Sequence, residues 1–371
     1  MNQTGLILVL IFLCLLYLFN YRLMISELHN PMKSSSISIG IFVVTNGDDS
    51  RLYEQHLSSL VCYAHRHSYH FIVMQVEQYP ICMNISQSIF FQKHCLVWKY
   101  LLDNIHIQWL LVLDIDVLVL NLSKKIESYL PKMSSEFSIS AIFYEKFNGE
   151  IASGNYLIRN DPWSHAFLSR WIEYERYIPY IKFHNNDNGV LHIHLLDPMV
   201  SDVNQSDSKH CFDLYKGASE FRTYHTYIAC CKCALAGRWE FQHLRILRRG
   251  HSFIRENFGH YMKKRIWSPT DFLLHGQKHH VDEYYSNKID RNVCQHSQWE
   301  LPLREDAIMT NYTQLKETIS EFDQAAAQGY PQSVGLPEIT DCWPNCQENE
   351  IRRQAFLEKI CHINASWRSF E

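Results

Sequence analysis

Two carboxylates, Asp114 and Asp116, sit inside the apolar run Trp109-Leu-Leu-Val-Leu-Asp-Ile-Asp-Val-Leu-Val-Leu-Asn121. A run this rich in large apolar residues reads as a strand buried on both faces, as in the middle of a parallel sheet. Strand side chains alternate, so both Asp point to one face. Two unpaired carboxylates in a dry interior are costly, so something cationic should neutralise them. A hard divalent ion that bridges protein carboxylates to phosphate oxygens does this most simply. The plainer alternative is a strand end where Asp114 caps a loop and Asp116 pairs with an arginine.

A second stretch, Ala152-Ser-Gly-Asn-Tyr-Leu-Ile-Arg-Asn-Asp-Pro-Trp-Ser-His-Ala-Phe-Leu-Ser-Arg-Trp171, carries polar groups on a flexible turn. Ser153-Gly154-Asn155 allows the backbone to approach a ligand closely. Asn160 or Asp161 then caps a helix with Pro162 in its first turn. Trp163, Phe167 and Trp171 recur every four residues and read as core packing. His192 and His194 fall on one strand face or on adjacent helix positions, and a lone histidine pair of this kind reads as structural rather than metal-binding.

The elements that must position these groups follow a rhythm. Ile37–Thr45 is a strand, Asn46-Gly47-Asp48-Asp49 a turn, and Tyr53, Leu57, Leu60, Val61 and Ala64 a helical stripe. Phe71–Val76 is a strand, and Phe91, Cys95, Trp98 and Leu102 form another helical stripe leading into the Asp-x-Asp run. Strand, helix, strand, helix, strand implies an α/β fold with a mostly parallel sheet and helices on both faces. Ligands of such sheets bind beyond the carboxyl ends of the strands, where Thr45–Asp49 and Asp114–Asp116 both fall. Strands at Ile139–Tyr144 and Tyr156–Ile158 and a helix at Trp163–Tyr177 follow.

The 371 residues, 46% hydrophobic, suffice for a sizeable core. A net charge of −4 without a basic stripe argues against nucleic acid as a partner; Arg245–Arg249 reads as a strand edge or a local phosphate contact. Residues 5–21 are uncharged and apolar, close to the shortest membrane span of about 17 residues. No small-residue cleavage site follows, so the expectation is a signal-anchor helix after a four-residue cytoplasmic tail. That places the body in the Golgi or ER lumen as a type II membrane protein, with secretion after cleavage as the alternative. A stem at 22–36, a catalytic body at 37–281 and a cysteine-containing extension at 282–371 complete the expected organisation. N-glycosylation triplets at Asn84, Asn121, Asn204, Asn311 and Asn364 agree with a lumenal body. So do eleven cysteines outside the span, an odd number that leaves at least one unpaired within the chain. Cys230-Cys231-Lys-Cys233 lacks the paired spacing of a structural zinc site.

The order of these motifs resembles a known family. The Asp-x-Asp run is the arrangement of metal-dependent nucleotide-sugar glycosyltransferases. The family-34 glycosyltransferases, of yeast-galactomannan and plant-xyloglucan type, carry a small-residue–Gly loop, an aromatic-Leu-Ile-Arg-Asn strand, Trp-Ser and a helix ending in Trp. Here these read Ser153-Gly154-Asn155, Tyr156–Asn160, Trp163-Ser164 and Trp171. The whole body looks closer still to the uncharacterised family called domain of unknown function 273, including Asn186-Asp187-Asn188-Gly189 and Asp271–Lys278.

The resemblance implies a GT-A-type fold, a nucleotide-sugar donor with UDP-sugars favoured, a glycan acceptor and Mn²⁺. It implies Asp114, Asp116 and His275 as metal ligands, a mixed carboxylate and imidazole set that suits Mn²⁺. It implies Lys278 as the cation that counters the departing diphosphate, with Gly276 beside it. Thr45, Asn46 and Asp48 would line the nucleotide pocket, and Ser153, Gly154 and Asn155 the donor cradle. Asp187 would flank the donor sugar; its family partner is Gln, and Asn188 stands there instead. The family retains anomeric configuration, so the expectation is same-face attack by an acceptor hydroxyl, with Asp187 positioning sugar or acceptor. Two alternatives stand beside this enzyme: a catalytically lapsed member kept as a lumenal binding or scaffold protein, and a two-metal phosphoesterase. The second would need a larger carboxylate and histidine set than this one.

Overall fold

The computed structural model describes residues 37–307, apart from 48, 132–137, 147–148, 179–185, 237, 239, 248–251, 257–270, 277, 279–280 and 296–298, and a few positions between 311 and 320. The segments expected as tail, anchor and stem (1–4, 5–21 and 22–36) lie outside the described residues, as does the extension after 320. Among the described residues no helix is long and apolar enough to cross a membrane. The chain divides after Ile37, and everything below belongs to the second unit.

Among the described residues, ten strands and eight α-helices carry the fold. The strands are β1 (Ile39–Thr45), β2 (His70–Gln75), β3 (Trp109–Leu113), β4 (Val117–Val119), β5 (Ala141–Tyr144), β6 (Tyr156–Arg159), β7 (Glu240–Phe241), β8 (Leu244–Leu247), β9 (Ile254–Glu256) and β10 (Leu273–His275). The helices are α1 (Asp49–Leu52), α2 (Glu54–His67), α3 (Pro80–Ile85), α4 (Ile89–Asp103), α5 (Pro162–Glu173), α6 (Asp187–His194), α7 (Gln205–Gly217) and α8 (Phe221–Ala234).

Seven strands form one sheet in the order β2-β1-β3-β6-β5-β8-β7. β1 runs parallel to β2 and β3, and β5 parallel to β8. β6 is antiparallel to both of its neighbours, and β7 to β8. The result is a mixed α/β sheet with most strands in one direction. Its two faces are apolar in alternation: Phe42, Leu110, Val112 and Tyr156 meet the helices α4 to α8, while Ile41, Val43, Leu111 and Leu113 meet α2 and a small second sheet. That second sheet has the order β4-β10-β9.

The run 109–121 is not one strand. β3 ends at Leu113, and the chain turns through Asp114–Asp116 before entering the other sheet as β4. The physical reason is at Asp114, whose backbone N–H donates to the Asn155 side chain at 2.8 Å instead of to a neighbouring strand. Arg245, expected on a strand edge or at a local phosphate contact, lies on β8 between β5 and β7 and pairs across to Glu240 on β7 at 3.0 Å. The helix expected over 163–177 is α5 followed by one tighter turn, and Asp161 caps it by accepting from the Ser164 N–H at 2.8 Å. Among the described residues, disulfides join Cys62 to Cys294, Cys82 to Cys95 and Cys211 to Cys230; Cys233 is also disulfide-bonded, and Cys231 is a buried free thiol.

Candidate metal and donor site

The topology brings distant residues to one edge of the sheet. Val43 pairs with Leu113, so β1 and β3 release Thr45 and Asp114 side by side at their carboxyl ends. In the small sheet His275 pairs with Val117 on one side and with Glu256 on the other. Register alone therefore sets His275 one residue beyond Asp116, some 160 positions away in sequence.

The imidazole completes a three-residue cluster. His275 Nε2 lies 3.3 Å from Asp114 Oδ2 and 3.2 Å from Asp116 Oδ1. One ligand atom from each of Asp114, Asp116 and His275 falls within 4.8 Å of the others. His275 Nδ1 meets Glu256 Oε2 at 2.8 Å, and Glu256 accepts in turn from the Tyr144 hydroxyl. A carboxylate on the far nitrogen orients a metal-binding histidine and fixes its tautomer. The other oxygen of Asp114 is held by Lys93 Nζ at 2.8 Å, and Lys93 also donates to the Gly154 carbonyl at 3.1 Å. Gly154 has to be glycine: a Cβ there would stand 2.0 Å from Asp114 Oδ2.

The electrostatics follow from these contacts. Burial pushes Asp114 up, but Lys93 and then His275 outweigh it and hold the carboxyl far below the usual range. Burial also opposes ionisation of Asp116, which His275 and, more weakly, Lys278 hold low. Burial lowers His275, yet Glu256, Asp114 and Asp116 together hold it well above its ordinary value. The proton on Nε2 thus sits among three donor atoms, two carboxylate oxygens and one imidazole nitrogen. Those donors fit a divalent cation, which would take the place of that proton.

The remaining expected residues divide by position. Thr45 is buried with its hydroxyl unpartnered among the described residues, Asn46 is exposed, and Asp48 lies outside the described residues. Ser153 donates from both its N–H and its hydroxyl to Asn188 Oδ1 at 3.0 Å each, so the Asn188 side-chain oxygen is committed to the loop. Asn155 donates from Nδ2 to the Tyr144 hydroxyl at 3.2 Å and accepts from Asp114 N–H. Asp187 is buried at the start of α6, 2.9 Å from His94 Nε2. Gly276 adopts a φ of 90°, open to glycine, and Lys278 is exposed beside it.

Four further residues of this network are silent in the sequence: Lys93, His94, Tyr144 and Glu256. Lys93-His94 does interrupt the apolar stripe of α4, and a charged pair within such a stripe is the one local signal that could have marked it. His192 is structural, as expected: Nε2 accepts from Ile151 N–H at 3.0 Å and Nδ1 donates to the Asn188 backbone carbonyl at 3.1 Å. Burial lowers it to about 4, and lowers His194, bonded to the Phe167 carbonyl, to about 3. Cys230 is joined to Cys211 and Cys233 is also disulfide-bonded, so neither offers a free thiolate.

Fold and site together define an α/β protein with an acidic, cation-suited centre at the carboxyl edge of its sheet. The chain belongs to the family described as "Protein of unknown function, DUF273", whose model matches residues 60–291. No curated protein matches it. Among solved structures it is similar to a glycosyltransferase involved in the glycosylation of the major capsid of PBCV-1, at 10% identity and a TM-score of 0.40, over 70% of this chain and 97% of the other. A second is the apo-form glycosyltransferase GlyE of Streptococcus pneumoniae TIGR4, at 12% identity and a TM-score of 0.28, over 89% of this chain and 99% of the other.

Proposed function

We propose that this protein is a divalent-metal-dependent glycosyltransferase that moves a hexose or pentose from a nucleotide-sugar donor, a UDP-sugar in the first instance, to a glycan acceptor. The observation that carries the reading is the convergence of Asp114, Asp116 and His275 around one point, with Glu256 orienting the histidine. Asp114 Oδ2, Asp116 Oδ1 and His275 Nε2 would hold the cation, which when bound supplies positive charge against a diphosphate leaving group. Lys278, exposed and close enough to lower Asp116, would add a second positive charge on the same side. Thr45, at the end of β1, would offer its hydroxyl to the nucleotide. Lys93 keeps Asp114 ionised and in place, and Gly154 leaves room for that carboxylate. Asp187, buried and ionised, would face the sugar as C1 gains positive character. Asn188 acts through Ser153, whose loop it fixes.

The same reading places the body in a secretory lumen, anchored by residues 5–21. The disulfides support it, since such bonds persist in oxidising compartments. The test is calorimetric titration of the full-length protein with UDP, UDP-sugars and GDP-mannose, with and without Mn²⁺. Metal-dependent nucleotide binding that is lost in Asp114→Ala/Asp116→Ala is the expected result, and the tightest sugar names the donor class. A folded wild type that binds no nucleotide in Mn²⁺ would leave a lapsed, scaffold-like member as the better description.

A further inference from the structure

Asp187 opens α6, where a carboxylate ordinarily serves the free N–H groups of its own helix. Its Oδ2 instead meets His94 Nε2, on α4, at 2.9 Å. The other ring nitrogen of His94, Nδ1, lies 2.9 Å from the Tyr156 hydroxyl on β6. The imidazole plane is clamped against the Trp171 indole, with ring centres 3.7 Å apart. His94, Tyr156 and Trp171 are all 0% exposed and Asp187 2%. A buried hydrogen-bonded chain of this kind has few alternative geometries.

The donor and acceptor roles are fixed by elimination. An ionised carboxylate only accepts, so Nε2 carries the proton and donates to Asp187. Nδ1 then accepts, and the Tyr156 O–H donates to it. Among the described residues nothing bonds Oδ1 of Asp187. Lys93, the residue before His94, holds Asp114 at 2.8 Å. Consecutive residues of one helix turn therefore hold the carboxylate of the cation cluster and the carboxylate proposed to face the sugar.

We propose that His94 is a positioning residue for Asp187, its tautomer set by Tyr156 and its ring plane by Trp171, so that Oδ1 is aimed at the donor sugar. This rests on the reading of Asp187 given above. The groups facing Asp187 are Lys93 and His94 of α4, Asp114, Lys146 after β5, Tyr156 of β6 and Tyr215 of α7. Of these, only His94 donates to it.

The test uses full-length protein carrying His94→Phe, His94→Gln and Tyr156→Phe. Phe keeps the stack on Trp171 and loses both nitrogens; Gln keeps a donor near the Nε2 position. His94→Phe is expected to lower kcat 10- to 100-fold with the donor KM changed less than about threefold, because the cation cluster is untouched. His94→Gln should recover most of that loss. A folded His94→Phe protein with wild-type kcat, or a His94→Gln protein as slow as His94→Phe, overturns the proposal. A second measurement needs no turnover. Nitrogen NMR of ¹⁵N-histidine-labelled wild type should show His94 protonated at Nε2, and Tyr156→Phe should mix the tautomers. A His94 protonated at Nδ1 overturns the proposal. If wild type shows the Nε2 signature but transfers no sugar, the glycosyltransferase reading fails while the positioning of Asp187 stands.

Discussion

Gly154 shows at the residue scale how little room the site leaves. Its missing side chain is what lets Asp114 turn Oδ2 toward His275 while Lys93 takes Oδ1. Gly154→Ala forces the Asp114 carboxylate aside, since a methyl at 2.0 Å from an oxygen has to displace it. The expected outcome is at least a tenfold loss of Mn²⁺-dependent UDP affinity by calorimetry, in a protein whose far-UV circular dichroism is unchanged. Lys93→Met removes the cation that holds Asp114 ionised, and the same titration is expected to lose affinity with a steeper dependence on pH below neutrality. Wild-type UDP affinity in either variant would show that Asp114 reaches the cation by another geometry. Asp114, Asp116 and Gly154 were legible in the sequence because their types are costly or special where they stand: carboxylates in an apolar run, a glycine in a polar turn. Lys93, His94 and Glu256 were not, because a lysine, a histidine or a glutamate has an ordinary role almost everywhere. Their meaning comes from partners far away in sequence.

At the scale of elements, the strand and helix rhythm from Ile37 to Leu113 was readable, since each strand is a continuous apolar run and each helix a stripe. The break of the Asp-x-Asp run into two strands was not. It depends on Asn155, 41 residues on, supplying the hydrogen-bond acceptor that ends the ladder at Asp114. The insertion of antiparallel β6 between β3 and β5 is long-range pairing of the same kind. Helix α4 is the element on which the site depends most. Three consecutive residues near its start reach three partners: Lys93 to Asp114, His94 to Asp187, and Cys95 by a disulfide to Cys82 on α3. That disulfide spans 13 residues. A loop of that size constrains the unfolded chain by about 3 kcal/mol. Cys82→Ser/Cys95→Ser is expected to lower the melting temperature by roughly 5–10 °C by calorimetry. It should also weaken nucleotide binding, because the start of α4 loses its tether to α3. A lower melting temperature with unchanged binding would show that packing against β1 and β3 alone positions Lys93.

Across the whole molecule, residues near the end of the described chain return to its beginning. Cys294 is joined to Cys62 on α2, 232 residues away, Arg291 donates to Ser58 at 2.9 Å, and the Tyr285 hydroxyl donates to the Val119 carbonyl at 2.6 Å. These contacts clamp α2 over the small sheet that carries His275. The opposite side of the main sheet is governed by buried histidines on α6. His192 and His194 are lowered by burial to about 4 and about 3, from an ordinary value of 6.5. Below pH 6.5 the unfolded chain takes up protons that the folded chain refuses, so each histidine makes stability fall as the pH falls. The slope is about 1.4 kcal/mol per pH unit per histidine, between pH 6.5 and 4 for His192 and further down for His194. Glu150 has the same sense lower down: burial pushes it up, but Lys146 outweighs burial and holds it at about 2, so its stabilisation is lost as pH falls from 4.5 toward 2. His275 has the opposite sign, since its raised value in the metal-free protein adds stability at low pH that is lost as pH rises. The net curve therefore mixes signs, and the difference between wild type and His192→Asn separates them. Asn keeps a donor for the Asn188 carbonyl and does not titrate. Urea denaturation from pH 7 to pH 4 is expected to give a wild-type curve steeper than that of His192→Asn by about one proton's worth of slope. Parallel curves would mean that His192 takes up its proton inside the fold, and that the acid sensitivity of this protein originates elsewhere than in α6.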